Sequence, residues 1–231
     1  MAVKAIIFDV DGTLSETEEL HRQAFNQSFA EFALPWVWTR DLYGELLKTT
    51  GGKERMTVYL RDHLHQQADQ SRIVQIHRRK TEIYGELVAK GAALLRPGIA
   101  GLIEDAGKRG VRLAVATTTN RPNVDRLAEA CFGRPAGDVF EVIAAGDEVQ
   151  RKKPAPDVFE LALTGLGLDP GDCVGLEDSR NGLLSCTGAG VPCIVSPCMY
   201  TKGSDFNGAA AVIDCFTRVD TVEKLNALLA G

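Results

Sequence analysis

The sequence predicts an α/β fold: a parallel β-sheet with helices on both faces, interrupted near its start by a helical insert. Three observations predict it. The chain opens with the unbroken apolar run Ala5-Ile6-Ile7-Phe8, the pattern of a strand buried on both faces of a parallel sheet. From Pro97 onward, short apolar runs alternate with helical stretches that carry Pro early and Gly late, as strand–helix–strand units do. From Glu16 to Leu95 there is no convincing strand pattern, only helical spacing.

The first strand is expected over residues 3–10. In the insert, Leu20, Ala24, Phe25, Phe29 and Phe32 fall on one helical stripe. Segments 39–48, 54–66 and 71–89 continue in that style, and "IHRRKTEIYGEL" reads as a helix with a solvated basic face. Pro97 is expected to start a helix that ends at Gly110, and Pro122 a helix that closes at Gly133. Between them lies the strand of residues 111–118. A strand over 139–145 precedes a helix from Pro156, and later strands are expected at 173–177, 193–196 and 210–213. A helix starts near residue 179, and VEKLNALLA forms the last one. Residues 1–15 and 96–231 thus make a core interrupted by the insert 16–95.

Composition narrows the function. The 231 residues carry 26 Lys and Arg against 31 Asp and Glu, a net charge of −5, which gives no reason to expect a nucleic-acid partner. No apolar run reaches about 18 residues, so no membrane span is expected. The N-terminus lacks signal-peptide features, and the chain reads as cytoplasmic. The 6 cysteines form no C-x-x-C pair and read as buried free thiols rather than zinc ligands. His63, His65 and His77 read as solvated.

Ligands of open α/β sheets bind beyond the carboxyl ends of the strands, and four strand ends carry chemistry. The first is Asp9-Val10-Asp11-Gly12-Thr13. Its carboxylates, two residues apart, can face one site, and Gly12 permits a sharp turn. A calcium loop would need Gly at its sixth position, where Leu14 stands. The second is Thr117-Thr118-Thr119-Asn120, either an anion cradle or a helix cap. The third is Lys152-Lys153-Pro154, and the fourth is Glu177-Asp178-Ser179, which can be an acidic site or a cap.

In this order, Asp-x-Asp-Gly-Thr, hydroxyl, Lys-Pro and Glu-Asp resemble the haloacid dehalogenase superfamily, across essentially the whole core. The resemblance implies a Rossmann-like core with an inserted alpha-helical cap that closes over the site. It implies Asp9 as nucleophile, Asp11 as general acid and base, and Thr117 and Lys153 as the cradle of the phosphoryl oxygens. It also implies Mg²⁺ held by Asp9, the Asp11 carbonyl and Asp178, with Glu177 supporting a water. Such chemistry splits one displacement into two through an aspartyl phosphate.

The cap type, "DGTLSETEELH", "TGGKER" and "KKPAPDVF" point to the group of beta-phosphoglucomutases and sugar-phosphate phosphatases. Within it, "HRRKTEIYGEL" resembles the CbbY family, phosphatases of xylulose-1,5-bisphosphate, a rubisco inhibitor. A phosphorylated sugar is therefore the expected partner, and a monomer is expected. Gly51, Gly52, Lys53 and Arg55 are expected to hold a second, non-reacting phosphate, and Lys80 lies in a stretch that resembles the group's other substrate-facing cap lysine. Glu16 and His21 are expected at sugar hydroxyls, and Thr118 and Asn120 in the substrate lining. Most relatives have Asp where Glu16 stands. Two alternatives remain at this point: a mutase using the same carboxylates, and a non-catalytic metabolite-binding protein.

Overall fold

The computed structural model describes residues 2–230, which divide into two compact units, one of residues up to Glu16 with Leu94 onward and one of Thr17–Ala93. Strand β1 is Ala5–Phe8, every side chain of it buried. Four helices of the second unit follow: α1 (Glu18–Glu31), α2 (Arg40–Leu46), α3 (Gly52–Val58) and α4 (Gln70–Ala89). The chain then returns to the first unit through α5 (Ile99–Arg109), β2 (Arg112–Ala116), α6 (Arg121–Phe132), β3 (Val142–Ala144) and α7 (Asp157–Leu166). It ends with β4 (Cys173–Glu177), α8 (Arg180–Gly188), β5 (Cys193–Val195), β6 (Ala211–Val212) and α9 (Val222–Ala230).

The 6 strands form one parallel sheet in the order β3-β2-β1-β4-β5-β6. This is the α/β architecture expected from the sequence. β1 lies at the centre, with Phe8 in register with Val115 on one side and Leu176 on the other. Sequence order reverses between β2 and β4 around β1, the topological switch at which ligands of such sheets bind.

One face of the sheet packs Ile7, Ala114 and Val195 against Phe159, Leu163 and Cys186. Gly175 is required there, because a Cβ on it would collide with the Cys186 sulfur. Four of the six cysteines are buried free thiols as expected; Cys131 and Cys215 are only partly buried. No helix among the described residues is long and apolar enough to cross a membrane.

Several boundaries differ from the sequence reading. β1 stops at Phe8 because the chain turns at once: Thr13, Leu14 and Ser15 all donate backbone N–H groups to the Val10 carbonyl. Of the strand expected over 139–145, only Val142–Ala144 is extended; Phe140 instead packs edge-on to Phe8 at 6.0 Å. The helix expected from Pro97 begins at Ile99, after Gly98 in a left-handed conformation (φ 94°) pressed against the Phe216 backbone.

The helical unit is built on aromatic packing. Phe25 and Phe29 of α1 meet Trp38 at 4.6 and 5.0 Å, and Tyr59 meets it at 5.5 Å. Asn26 fixes the loop by accepting from the Trp38 N–H at 2.8 Å and donating to its carbonyl at 2.9 Å. On α4, Ile73, Ile76, Lys80 and Tyr84 are buried. The expected solvated basic face is therefore confined to Arg78 and its neighbours.

Candidate active site

Each strand of the sheet's centre delivers one polar group at its carboxyl end. The Asp9 N–H donates to the Leu176 carbonyl at 3.0 Å, which holds the residue in the sheet just past β1. Thr117, just past β2, is held likewise by the Ala144 carbonyl at 3.0 Å. Glu177 is the last residue of β4, and its carbonyl accepts from the Ser196 N–H at 2.8 Å. Lys153 comes from the loop between β3 and α7. Asp9, Thr117, Lys153, Glu177 and Asp178 are all buried.

Burial of this many charged groups is costly unless they pair. Lys153 Nζ donates to Asp9 Oδ1 at 2.7 Å and to Glu177 Oε1 at 2.5 Å. Oxygens of Asp9, Glu177 and Asp178 lie within 4.8 Å of one another. Burial pushes the Asp9 and Glu177 carboxyls above the usual carboxylate range, and Lys153 opposes the shift in both. For Lys153, burial acts to lower the pKa, but the charges of Asp9 and Glu177 outweigh it and hold the ammonium charged.

Three carboxylates around a single ammonium leave an excess of negative charge, and Glu177 Oε2 is buried with no hydrogen-bond partner. An all-oxygen donor set with surplus negative charge and an unsatisfied oxygen suits a hard divalent cation. The residues present therefore fit a metal ion of that kind.

Two glycines make room for the acids. A Cβ on Gly12 (φ 88°) would collide with the Asp178 carboxylate, and a Cβ on Gly182 with that of Glu177. Asp11 is half-buried in the turn after β1, near enough for its charge to help raise the Asp9 pKa. The Thr117 hydroxyl accepts from the Thr119 N–H at 3.2 Å, which leaves its own proton to donate.

At the two positions where capping competed with function, the structure divides the roles. Asn120 caps α6, its side-chain oxygen accepting from the Asn123 N–H at 3.0 Å, and Thr118 beside it is half-buried. Ser179 caps α8 by accepting from the Gly182 N–H at 3.1 Å, so Asp178 is left to the acidic cluster. Glu16 is 45% exposed and lies 3.6 Å from the Arg96 guanidinium.

Within the helical unit, His21 and Lys80 are brought together, Nζ to Nδ1, at 2.7 Å, with the imidazole stacked on Tyr84 at 3.9 Å. Arg55 is buried and donates to the Tyr43 hydroxyl, whereas Lys53 is exposed. Gly51 adopts φ 96°, and Gly52 abuts the His77 ring, where a Cβ would lie 2.5 Å from Nε2. His77 is accordingly not solvated. Burial, followed by the charges of Lys80 and Lys53, drives its pKa down to about 3. His63 and His65 are exposed, as expected.

Three residues at these sites escaped the sequence reading. Cys198 is buried and hydrogen-bonded to Asp178. Arg96 is buried behind the Asp11 turn, and Tyr43 supports Arg55. Nothing in the local sequence marks Cys198 or Arg96. For His77 a signal existed: Ile73, Ile76, His77, Lys80 and Tyr84 follow the i, i+3, i+4, i+7, i+11 spacing of one helix face.

Comparison with known proteins agrees with this geometry. The family described as haloacid dehalogenase-like hydrolase matches residues 3–190. Protein CbbY of Cereibacter sphaeroides is 54% identical over 219 residues, covering 94% of each chain. A crystal structure of CbbY from Rhodobacter sphaeroides in complex with phosphate superposes with a TM-score of 0.92 at 53% identity, covering 97% of this chain and 99% of that one. An Asp-to-Asn mutant of the same protein, in complex with xylulose-(1,5)bisphosphate, gives a TM-score of 0.91 at 53% identity, covering 96% and 99%.

Proposed function

The chain belongs to the haloacid dehalogenase-like hydrolases, and on that premise we propose that it is a Mg²⁺-dependent phosphatase of xylulose-1,5-bisphosphate. The observation that carries the reading is the buried set in which Lys153 bonds both Asp9 and Glu177 beside Asp178. The crystal structure of the relative holding that bisphosphate supports the choice of substrate. Removal of the bisphosphate relieves inhibition of rubisco.

In the first half-reaction an Asp9 carboxylate oxygen attacks phosphorus, and the bond from phosphorus to the sugar oxygen breaks. Asp11 gives that departing oxygen its proton. In the second, Asp11 takes a proton from water, whose oxygen attacks the aspartyl phosphate and releases inorganic phosphate and free Asp9. Each half uses one carboxylate as nucleophile or leaving group and the other as proton carrier. Lys153 opposes the upward push of burial on Asp9 and aims its carboxylate, and the Thr117 hydroxyl donates to a phosphoryl oxygen, where charge stabilisation counts most in phosphoryl transfer.

Asp9, Asp178 and the Asp11 carbonyl would hold Mg²⁺, with Glu177 behind them. When bound, the cation offsets the negative charge of carboxylates and phosphoryl group together. Arg55, Lys53, Lys80 and the Gly51-Gly52 turn of the helical unit are assigned to the non-reacting phosphate, and Glu16 and His21 to sugar hydroxyls.

The test is phosphate release from xylulose-1,5-bisphosphate with Mg²⁺, with Asp9→Asn as control and beta-glucose-1-phosphate for comparison. Release from the bisphosphate that is lost in the variant is the expected result. Glucose-6-phosphate formed without stoichiometric phosphate release would instead make the protein a mutase on the same carboxylates.

A further inference from the structure

We propose that Arg96 is a positioning residue for the reaction, a buried guanidinium that sets Asp11 against the strand end carrying Glu177 and Asp178. The inference rests on the reading of Asp11 as the proton carrier.

Arg96 is 7% exposed. Its Nη1 donates to the Gly12 carbonyl at 2.6 Å and to the Ser196 carbonyl at 2.7 Å. Nη2 donates to Ser196 Oγ at 2.9 Å, and the guanidinium lies 4.8 Å over the Phe216 ring. Gly12 is the residue after Asp11. It is therefore gripped from one side by Arg96, while its other side abuts the Asp178 carboxylate without room for a Cβ. Ser196, the second residue gripped, donates its own N–H to the Glu177 carbonyl. One planar cation thus fastens the turn that carries Asp11 to the strand end that carries Glu177 and Asp178.

The energetics favour a positional role over simple packing. A buried guanidinium is expensive where an apolar side chain would fill the same space. Its nearest carboxylate, Glu16, is 3.6 Å away and half-exposed, so the short bonds run to neutral carbonyl and hydroxyl oxygens. A rigid fork serves two carbonyls at fixed directions; the single ammonium of lysine does not reproduce that geometry. Arg96 touches none of the three clustered carboxylates in these bonds, so it acts through the backbone of the turn. A misplacement of about 1 Å can cost on the order of a hundredfold in rate.

A proton carrier matters most when the leaving group is a poor one. An alkoxide needs protonation as it departs, whereas p-nitrophenolate does not. The experiment therefore compares kcat/KM for xylulose-1,5-bisphosphate and p-nitrophenyl phosphate in wild type, Arg96→Lys, Ser196→Ala and Asp11→Asn. Since kcat/KM covers only the steps through phosphorylation of Asp9, later water attack does not blur the comparison. For Arg96→Lys, assayed at saturating Mg²⁺ so that the hold of the Asp11 carbonyl on the ion does not enter the comparison, the sugar phosphate should lose about 10- to 100-fold and p-nitrophenyl phosphate no more than about threefold. Ser196→Ala, which removes one partner of the fork, should show the same bias at about three- to fivefold, and it carries the test should Arg96→Lys not fold.

Equal losses on both substrates in these variants, with Asp11→Asn still discriminating between them, would overturn the role of Arg96. If Asp11→Asn itself slows both substrates equally, the assignment of Asp11 has failed and the inference falls with it.

Discussion

Arg55 donates from Nη1 to the hydroxyl of Tyr43 at 3.0 Å, and its guanidinium carbon lies 5.1 Å from the centre of that ring. The same hydroxyl donates to Glu18 at 2.8 Å. The guanidinium is thereby oriented by a relay that ends in a carboxylate, while Arg55 Nε stays buried without a hydrogen-bond partner. A phosphate oxygen would satisfy such a donor. Arg55→Ala should raise KM for the bisphosphate by about 10- to 100-fold, as loss of a charged hydrogen bond does, and leave a monophosphate within about twofold. Tyr43→Phe should act in the same direction but only several-fold. Steady-state kinetics on both substrates decide it; equal effects would remove Arg55 from the phosphate assignment.

Gly182 offers a test of how firmly Glu177 is held. Alanine in a helix normally stabilises by about 0.5–1 kcal/mol relative to glycine. Here the added methyl meets the Glu177 carboxylate, which is fully buried and bonded to Lys153. Gly182→Ala should therefore lower Tm and reduce kcat at least tenfold, roughly the cost of a displaced charged group. A stabilised, fully active variant would mean that Glu177 is free to move aside.

The neutral state of His77 gives acid sensitivity. Burial, then Lys80 and Lys53, lower its pKa to about 3 from 6.5, while Glu54 pulls the other way. Since the folded value lies below the unfolded one, the unfolded chain binds the proton first. The stabilisation is fully present above pH 6.5 and is lost as pH falls from there toward 3. Thermal melts of wild type and His77→Gln between pH 7.5 and 4.5 should converge as the solution is acidified. Parallel curves would show that His77 titrates normally.

Metal binding should be visible without turnover. Mg²⁺ binding only the folded state raises stability by RT ln(1 + [Mg²⁺]/Kd), about 2.7 kcal/mol at 100 times Kd. Tm should therefore rise with Mg²⁺ in wild type, return to its starting value with chelator, and stay flat in Asp178→Asn. A Tm that ignores Mg²⁺ in the wild type would count against the cation.

How much of this was legible depended on whether a residue broke a local rule. Asp9 and Glu177 did, being carboxylates at the ends of apolar runs, and the order of the motifs did the rest. Asn120 obeyed two rules at once, since a cap and an anion ligand occupy the same place after a strand; its side-chain oxygen takes the Asn123 N–H as a cap does. His77 was masked by Arg78 and Arg79, although one step along a helix turns a side chain by about 100°. Arg96 obeyed every local rule, as an arginine before Pro-Gly is unremarkable. Its partners Gly12 and Ser196 lie 84 and 100 residues away, a relation only tertiary structure creates.

Such separations also set a schedule. Asp9 and its partner Lys153 are 144 residues apart, and at ~5–20 residues per second of synthesis the first leaves the ribosome roughly 7 to 30 s before the second. For most of that interval β1 has neither sheet neighbour, since β2 is made only from Arg112 and β4 from Cys173. The growing chain thus carries its reactive carboxylate through translation in water, where it is cheap to keep ionised and has nothing to aim it. A chain interrupted before Asp178 lacks part of the buried set, so the nucleophile is made first and the groups that pair with it last.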